Sequence, residues 1–241
     1  MLPSHHPAHS NLRTTMRNLL TGKRVLLTQA AEFMGPALRE VLAEQGADVV
    51  ASDEALSEPD AARRVVEGAG AVDVLVANLA FSAPSTPAEG VTDAEWREVF
   101  GALVDPLPRL IGAVVPGMVA RGSGTVLVIG SASALRGMKR SSTYSAARAA
   151  QLGYVQAVGV ELAPRRIRVN AIAQNFVENP TYFPPEVQAN PRFQERLARE
   201  VPLGRLVTAR EDAQFAAYLC SDAAACFVGQ VFPVSGGWVT R

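Results

Sequence analysis

The segment Tyr144-Ser-Ala-Ala-Arg148 sets a phenol and a guanidinium four residues apart. On a helix that spacing is one turn, so both side chains share a face. A phenol has an ordinary pKa of about 10. Acting as a base near neutral pH therefore needs a downward shift of roughly 2–3 units, or about 3–4 kcal/mol. An arginine stays cationic at every working pH and can supply much of that bias where water is partly excluded. Ser131 lies thirteen residues before the tyrosine and could donate to a substrate oxygen, holding it near Tyr144. Each residue alone has a plain structural reading: Ser131 as a strand-end hydroxyl satisfying backbone, Tyr144 and Arg148 as a surface pair. Their joint spacing points to proton abstraction.

Elimination supports the tyrosine. All three histidines (His5, His6, His9) lie in the first nine residues, so the body of the chain has no imidazole for a Ser-His-Asp triad, a Cys-His pair or a His-based metal site. Lys23 and Lys139 are the only lysines among 23 Lys and Arg residues. A general base must therefore be Tyr, Asp, Glu, Cys or one of those two lysines. Cys220 and Cys226 are the only cysteines, too few for a disulfide framework, and read as small apolar packing in a reducing cytoplasm. No metal site is expected. Lys+Arg and Asp+Glu both number 23, and a zero net charge argues against nucleic-acid binding. No apolar run of about 18 residues is free of charge or Pro, so no membrane span is expected, and the polar N-terminus lacks a signal-peptide pattern.

The elements that must position these residues alternate strand and helix. Apolar runs predict strands over Arg24–Thr28, Ala47–Ala51, Val72–Asn78, Thr125–Gly130, Ile167–Ala173 and Val231–Val234. Between them, helices are predicted over Met34–Gln45, Pro59–Glu67, a stretch capped by Thr92, Pro108–Ala120, Thr143–Leu162, Pro191–Glu200 and Arg210–Cys220. Continuous apolar strands separated by helices imply an α/β fold: a single-domain Rossmann-like three-layer sandwich with a parallel sheet. Ser52 to Ala71 has room for one helix only, so one βα unit of a full dinucleotide half is missing. Residues 1–20 read as a disordered tail and 21–241 as one catalytic domain. Met16 begins a plausible natural start, which would make the preceding fifteen residues an extension.

From Thr21 to Trp238 the chain resembles the short-chain dehydrogenase/reductase superfamily. The resemblance lies in the first strand and turn, VDVLVANLA, TVLVIGSAS, Tyr144 with its helix, RIRVNAIA, and PLGRLVTAREDA with FVGQVFPVSGGW. The departures carry more information. The superfamily's glycine-rich turn, T-G-x-x-x-G-x-G, is here Thr28-Gln-Ala-Ala-Glu-Phe-Met-Gly35, where only the last glycine survives. Those glycines let backbone approach a pyrophosphate at a helix N-terminus. Phe33 puts a ring where the nicotinamide end of a cofactor would lie; plain core packing is the alternative. Arg148 replaces the superfamily's Lys, and the helical stretch from Val91 to Ala120 lacks the Asn of its proton relay. Asp53, which could hold a ribose in an ancestor, reads here as a solvated loop residue.

Ser-x12-Tyr-x3-Arg together with an aromatic in a broken glycine turn resembles the halohydrin dehalogenases, cofactor-free relatives of the reductases. STYSAAR, NPTYFPPE and VPLGRLVTARED extend the likeness. The resemblance implies cofactor-independent closure of vicinal haloalcohols to epoxides with halide release, and ring opening by small anions such as cyanide, azide or nitrite. It implies Tyr144 as base, Arg148 tuning it and Ser131 positioning substrate. A halide site of backbone N–H groups and aromatic edges would be lined by Phe33, Gln174, Asn175, Phe176 and Val177, with Tyr182 and Phe183 as further walls. A hydrophobic lid is the plainer reading of Phe176, Tyr182 and Phe183. Superfamily pattern also implies a homotetramer built on the Pro108–Ala120 and Thr143–Leu162 helices. Two rivals stay open: an NAD(P)-dependent reductase with a degenerate turn, and a catalytically silent binding protein.

Overall fold

Short runs of Val, Ile, Leu and Ala form six strands: β1 (Arg24–Thr28), β2 (Asp48–Ser52), β3 (Val74–Asn78), β4 (Gly124–Ser131), β5 (Ile167–Gln174) and β6 (Val231–Val234). The computed structural model describes residues 18–240. All neighbouring strands pair in parallel, in the order β2-β1-β3-β4-β5-β6. The helices are α1 (Gly35–Glu44), α2 (Ala61–Ala69), α3 (Asp93–Leu103), α4 (Pro106–Arg121), α5 (Ser142–Leu162), α6 (Pro185–Gln188), α7 (Pro191–Glu200) and α8 (Ala209–Cys220). Only α2 joins β2 to β3, as the short stretch there requires.

Successive strand residues point to opposite faces, and both faces are buried, which is why the strands read as unbroken apolar runs. Leu26, Leu75, Val126, Val128 and Val169 pack with α2, α3, α4 and α5. Val25, Leu27, Val76, Leu127, Ile129 and Ile172 pack with α1 and α8 on the other side. Each such side chain contributes about 1.5–3 kcal/mol on burial.

The boundaries differ from expectation where turn chemistry decides them. α4 begins at Pro106 rather than Pro108, because proline suits the first helical turn, where no N–H partner is required. β4 and β5 each run one residue further, to Ser131 and Gln174. The Pro-rich loop after β5 ends in the short helix α6. Asp93–Arg121, which spans α3 and α4, meets the length and composition of a membrane span despite the charges and prolines within it. Val99, Leu103, Leu107, Leu110, Val114 and Met118 from that stretch are buried in the core.

Positions 1–17 of the expected tail, including the histidines and Met16, lie outside the described residues. Leu20, read as the tail's last residue, belongs to the fold: it is fully buried and its N–H donates to Gln45 O at 2.9 Å.

Candidate active site

The carboxyl ends of β1, β3, β4 and β5 meet at one edge of the sheet, the edge where open α/β sheets bind ligands. Ser131 and Gln174 end β4 and β5 as direct register partners. Ser131 Oγ lies 2.9 Å from Ser133 Oγ and accepts the Ser133 N–H. α5 brings Tyr144 and Arg148 over this edge. Glu95 of α3 anchors its first turn, accepting from Thr143 Oγ1 at 2.7 Å and from Thr86 Oγ1 at 2.6 Å.

Tyr144 and Arg148 are buried, at 5% and 1% exposure, so the surface-pair reading does not hold. Arg148 Nη1 donates to Ile129 O and Gln151 Oε1, and Nη2 to Leu79 O. No carboxylate is among these partners, and Nε has none. The guanidinium carbon sits 5.0 Å from the centre of the Tyr144 ring. Arg148 thus addresses the ring face, and no hydrogen bond joins it to the phenol oxygen. It is a buried cation with no paired anion, set against the face of that ring.

Ser131 and Tyr144 line a cavity of about 230 Å³ together with Phe33, Gln174, Asn175, Phe176, Val177, Tyr182 and Phe183. Every sequence-predicted site residue except Arg148 is therefore brought to one space. Arg148 lines a second cavity of about 150 Å³. Phe33 and Tyr182 line both, meeting edge to face at 5.8 Å as the partition between them. Sequence reasoning missed Ser133, Met138, Ser141, Asn179 and Arg196 on the larger cavity's wall. Ser133 stood in plain view within TVLVIGSAS and Asn179 within NPTYFPPE; the others carry no motif.

The loop after β5 is held tightly. Asn175 N–H donates to Val234 O, and Asn175 Oδ1 takes the Phe176 N–H at 2.8 Å. Phe176 has φ +52°, a left-handed backbone that costs a side chain about 1–2 kcal/mol. The resemblance implied a shared array of loop amides, but Phe176 spends its own on its neighbour. The Val177 N–H has no acceptor among the described residues and is an open donor on this wall. Asn179 secures the loop, donating to Val177 O and accepting the Tyr182 N–H, both at 2.8 Å. The Tyr182 hydroxyl donates to Phe81 O at 2.8 Å and accepts the Ala83 N–H at 3.1 Å. Burial, and then the neighbouring Tyr144, push the Tyr182 phenol above its ordinary value, so it stays protonated.

The turn after β1 keeps a glycine backbone without the glycines. Gln29 (φ +44°) and Phe33 (φ +52°) both adopt the left-handed conformation at the positions where the resembling turn has glycine. Four of the turn's N–H groups are spent internally. Ala30 donates to Ser52 O, Glu32 to Gln29 O and Gly35 to Glu32 O. Ala31 donates to Asp53 Oδ1 at 2.7 Å; Asp53 is the exposed loop residue expected and also caps this turn. Asn78 Nδ2, at the end of β3, bridges Gln29 O and Glu32 O. Gly35 is the glycine that could not change, because a Cβ there would lie 2.3 Å from Ala30 O.

Behind Gln174 lies Asp212 of α8, fully buried, whose Oδ2 accepts from Gln174 Nε2. Burial pushes its carboxyl up to about 7, against the opposing pull of that hydrogen bond. Asp212 Oδ1 and Gln174 Oε1 have no partner, and protonation of Asp212 supplies a donor where two acceptors face none. The folded carboxyl binds its proton more tightly than the unfolded one. Its contribution to stability therefore falls as pH rises from 3.8 to about 7. Asp212→Asn is expected to melt higher than the wild type at pH 8, with the two melting curves converging near pH 4. Parallel melting-temperature profiles across that range would show that Asp212 folds with an ordinary pKa.

Among the described residues no cluster of three His, Cys, Asp or Glu side chains has metal-holding geometry. Cys220 is buried, which pushes its thiol up to about 12, and Cys226 is exposed.

Residues 17–239 match the adh_short_C2 family, described as Enoyl-(Acyl carrier protein) reductase. The chain is 31% identical to the cis-4-hydroxycyclohexanecarboxylate dehydrogenase of Sinomonas cyclohexanicum, over 88% of this chain and 95% of that one. Other curated relatives are also mostly dehydrogenases and reductases. Among solved structures, one described as a dehalogenation enzyme superimposes with TM-score 0.86 at 33% identity, covering 92% of this chain and 100% of that one. A halohydrin dehalogenase bound to ethyl (2S)-oxiran-2-ylacetate superimposes with TM-score 0.84 at 28% identity, covering 91% and 99%. By fold, by the span of the family match and by the order of its motifs, the chain belongs to the short-chain dehydrogenase/reductase superfamily.

Proposed function

We propose that this enzyme closes vicinal haloalcohols to epoxides with release of halide, and opens epoxides with small anions, using no nicotinamide. One observation carries the reading: the dinucleotide turn is filled from within. A pyrophosphate needs free N–H groups at a helix N-terminus and close backbone approach. Here four N–H groups of the turn leading into that helix are spent internally, and the Phe33 ring closes the space beside the catalytic cavity. These residues do not fit a dinucleotide. Two solved relatives described as dehalogenases share the fold closely.

The residues divide the work as follows. Tyr144, as phenolate, takes the proton of the substrate hydroxyl, and Ser131, itself hydrogen-bonded to Ser133, holds that oxygen in place. The freed oxygen attacks the neighbouring carbon from the side opposite the halogen. The C–O bond forms as the carbon–halogen bond breaks, and the halide leaves with the bonding pair. Val177 N–H and the aromatic edges of Phe33 and Phe176 receive it. Arg148 stabilises the phenolate before the proton moves, and the proton then passes from Tyr144 to solvent. Run backward, the same groups protonate an epoxide oxygen as an anion attacks carbon.

A second reading, a nicotinamide-dependent reductase, draws on the predominance of dehydrogenases among the curated relatives. Calorimetric titration separates the two. Bromide is expected to give a saturating heat, and NADH and NADPH none. Saturable nucleotide binding without bromide binding would transfer the assignment to the reductase. We further propose a homotetramer, since Trp96 of α3, Val119 of α4 and Val160 of α5 leave apolar surface exposed. Light scattering at the mass of a monomer would rule that out.

A further inference from the structure

Arg196 of α7 is the only permanently charged side chain on the wall of the larger cavity among the described residues. Its guanidinium carbon lies 5.3 Å over the Phe176 ring, which fixes it against the loop that carries the open Val177 N–H. Its Nε reaches Glu200 Oε2 at 3.2 Å, while Nη1 and Nη2 have no hydrogen-bond partner among the described residues. Arg199 takes Glu200 Oε1 at 3.0 Å, so two cations share one carboxylate and the cluster keeps a positive charge. The Arg196 side chain is 46% exposed and reaches from solvent to the cavity. The remainder of the wall is apolar or uncharged. Two free guanidinium nitrogens at such a mouth match a planar carboxylate, which they can hold by two parallel hydrogen bonds. A neutral substrate leaves them unused.

We propose that Arg196 sets the substrate class: an epoxide or vicinal haloalcohol that also bears a carboxylate. The carboxylate rests on Arg196, and the reacting carbons lie between Ser131, Tyr144 and Val177. This inference rests on the haloalcohol–epoxide reading above.

The test compares oxiran-2-ylacetate with its ethyl ester, each opened by azide. The wild type is expected to favour the carboxylate in kcat/KM by about tenfold, what one charge-assisted hydrogen-bonding contact contributes. The preference should lie in KM and weaken with added salt. Arg196→Met is expected to bring the ratio to about one, and Arg196→Lys to retain part of it. Arg199→Met, which lies off the cavity wall, should leave the ratio within about twofold of wild type. Equal use of both compounds by the wild type, or equal losses on both in Arg196→Met, would overturn the role of Arg196 while leaving the reaction assignment intact. A raised KM for azide with either compound would show that Arg196 serves the attacking anion instead. Failure to open the neutral ester as well as the acid would defeat the reaction assignment itself.

Discussion

Tyr144→Phe is expected to lower halide release from a vicinal bromo-alcohol by about 10²–10⁴-fold, which corresponds to about 3–5 kcal/mol of barrier. The substitution removes one oxygen and keeps the ring that lines the cavity and meets Arg148. The Tyr144 phenol faces the Tyr182 hydroxyl, which keeps its bonds to Phe81 O and the Ala83 N–H when that oxygen is removed, so the melting temperature should stay within a few degrees. The loss should fall on kcat with KM little changed, because the phenol acts on the proton in flight rather than on resting substrate. Unchanged kcat in a folded variant would remove Tyr144 from the chemistry and leave Ser131 without a base to serve.

Arg148→Met is the second large effect, and its two readouts should separate. A buried guanidinium with no carboxylate is costly to desolvate, and its hydrogen bonds to Ile129 O, Leu79 O and Gln151 Oε1 offset that only in part. Replacing it with an apolar chain of similar reach is expected to hold or raise the melting temperature. Activity should fall by at least about 10²-fold, because the phenolate loses its nearest cation. The deficit should shrink as pH is raised, since hydroxide then takes over the proton removal that the cation made easy. Lysine at this position keeps the charge but cannot reach three acceptors at once, so Arg148→Lys should fall between the two. A variant that loses stability and activity in proportion would mean that Arg148 is a structural brace.

Most of the fold was legible because a doubly covered parallel sheet writes itself as short apolar runs. The runs over VDVLVAN and IRVNAIA mark the strands, the first starting at Val74 rather than Val72, and the short stretch from Ser52 to Ala71 correctly implied one missing βα unit. The site was legible where chemistry keeps a spacing, as with Ser131, Tyr144 and Arg148. It was not legible where partners meet only through the fold. Asp53 is exposed as expected, but its cap on the Ala31 N–H gives no sequence signal. Asp212 stands 38 residues from Gln174, and nothing local marks it as buried. Arg196 carries no sequence signal, because only the fold brings it over Phe176. One signal was available and went unused. Gln29 and Phe33 occupy glycine positions of the resembling turn, so both were bound to adopt left-handed backbone if the turn kept its shape.

The central claim is that a phenol, a buried guanidinium and an anion-receiving loop complete this reaction with no nucleotide present. Purified protein freed of nucleotides and mixed with 1-bromo-2-propanol tests it in one measurement, by following bromide and propylene oxide together. Stoichiometric appearance of both, at a rate unaltered by added NADPH, is the result expected. No bromide from folded wild-type protein, or bromide only when NADPH is supplied, would contradict it.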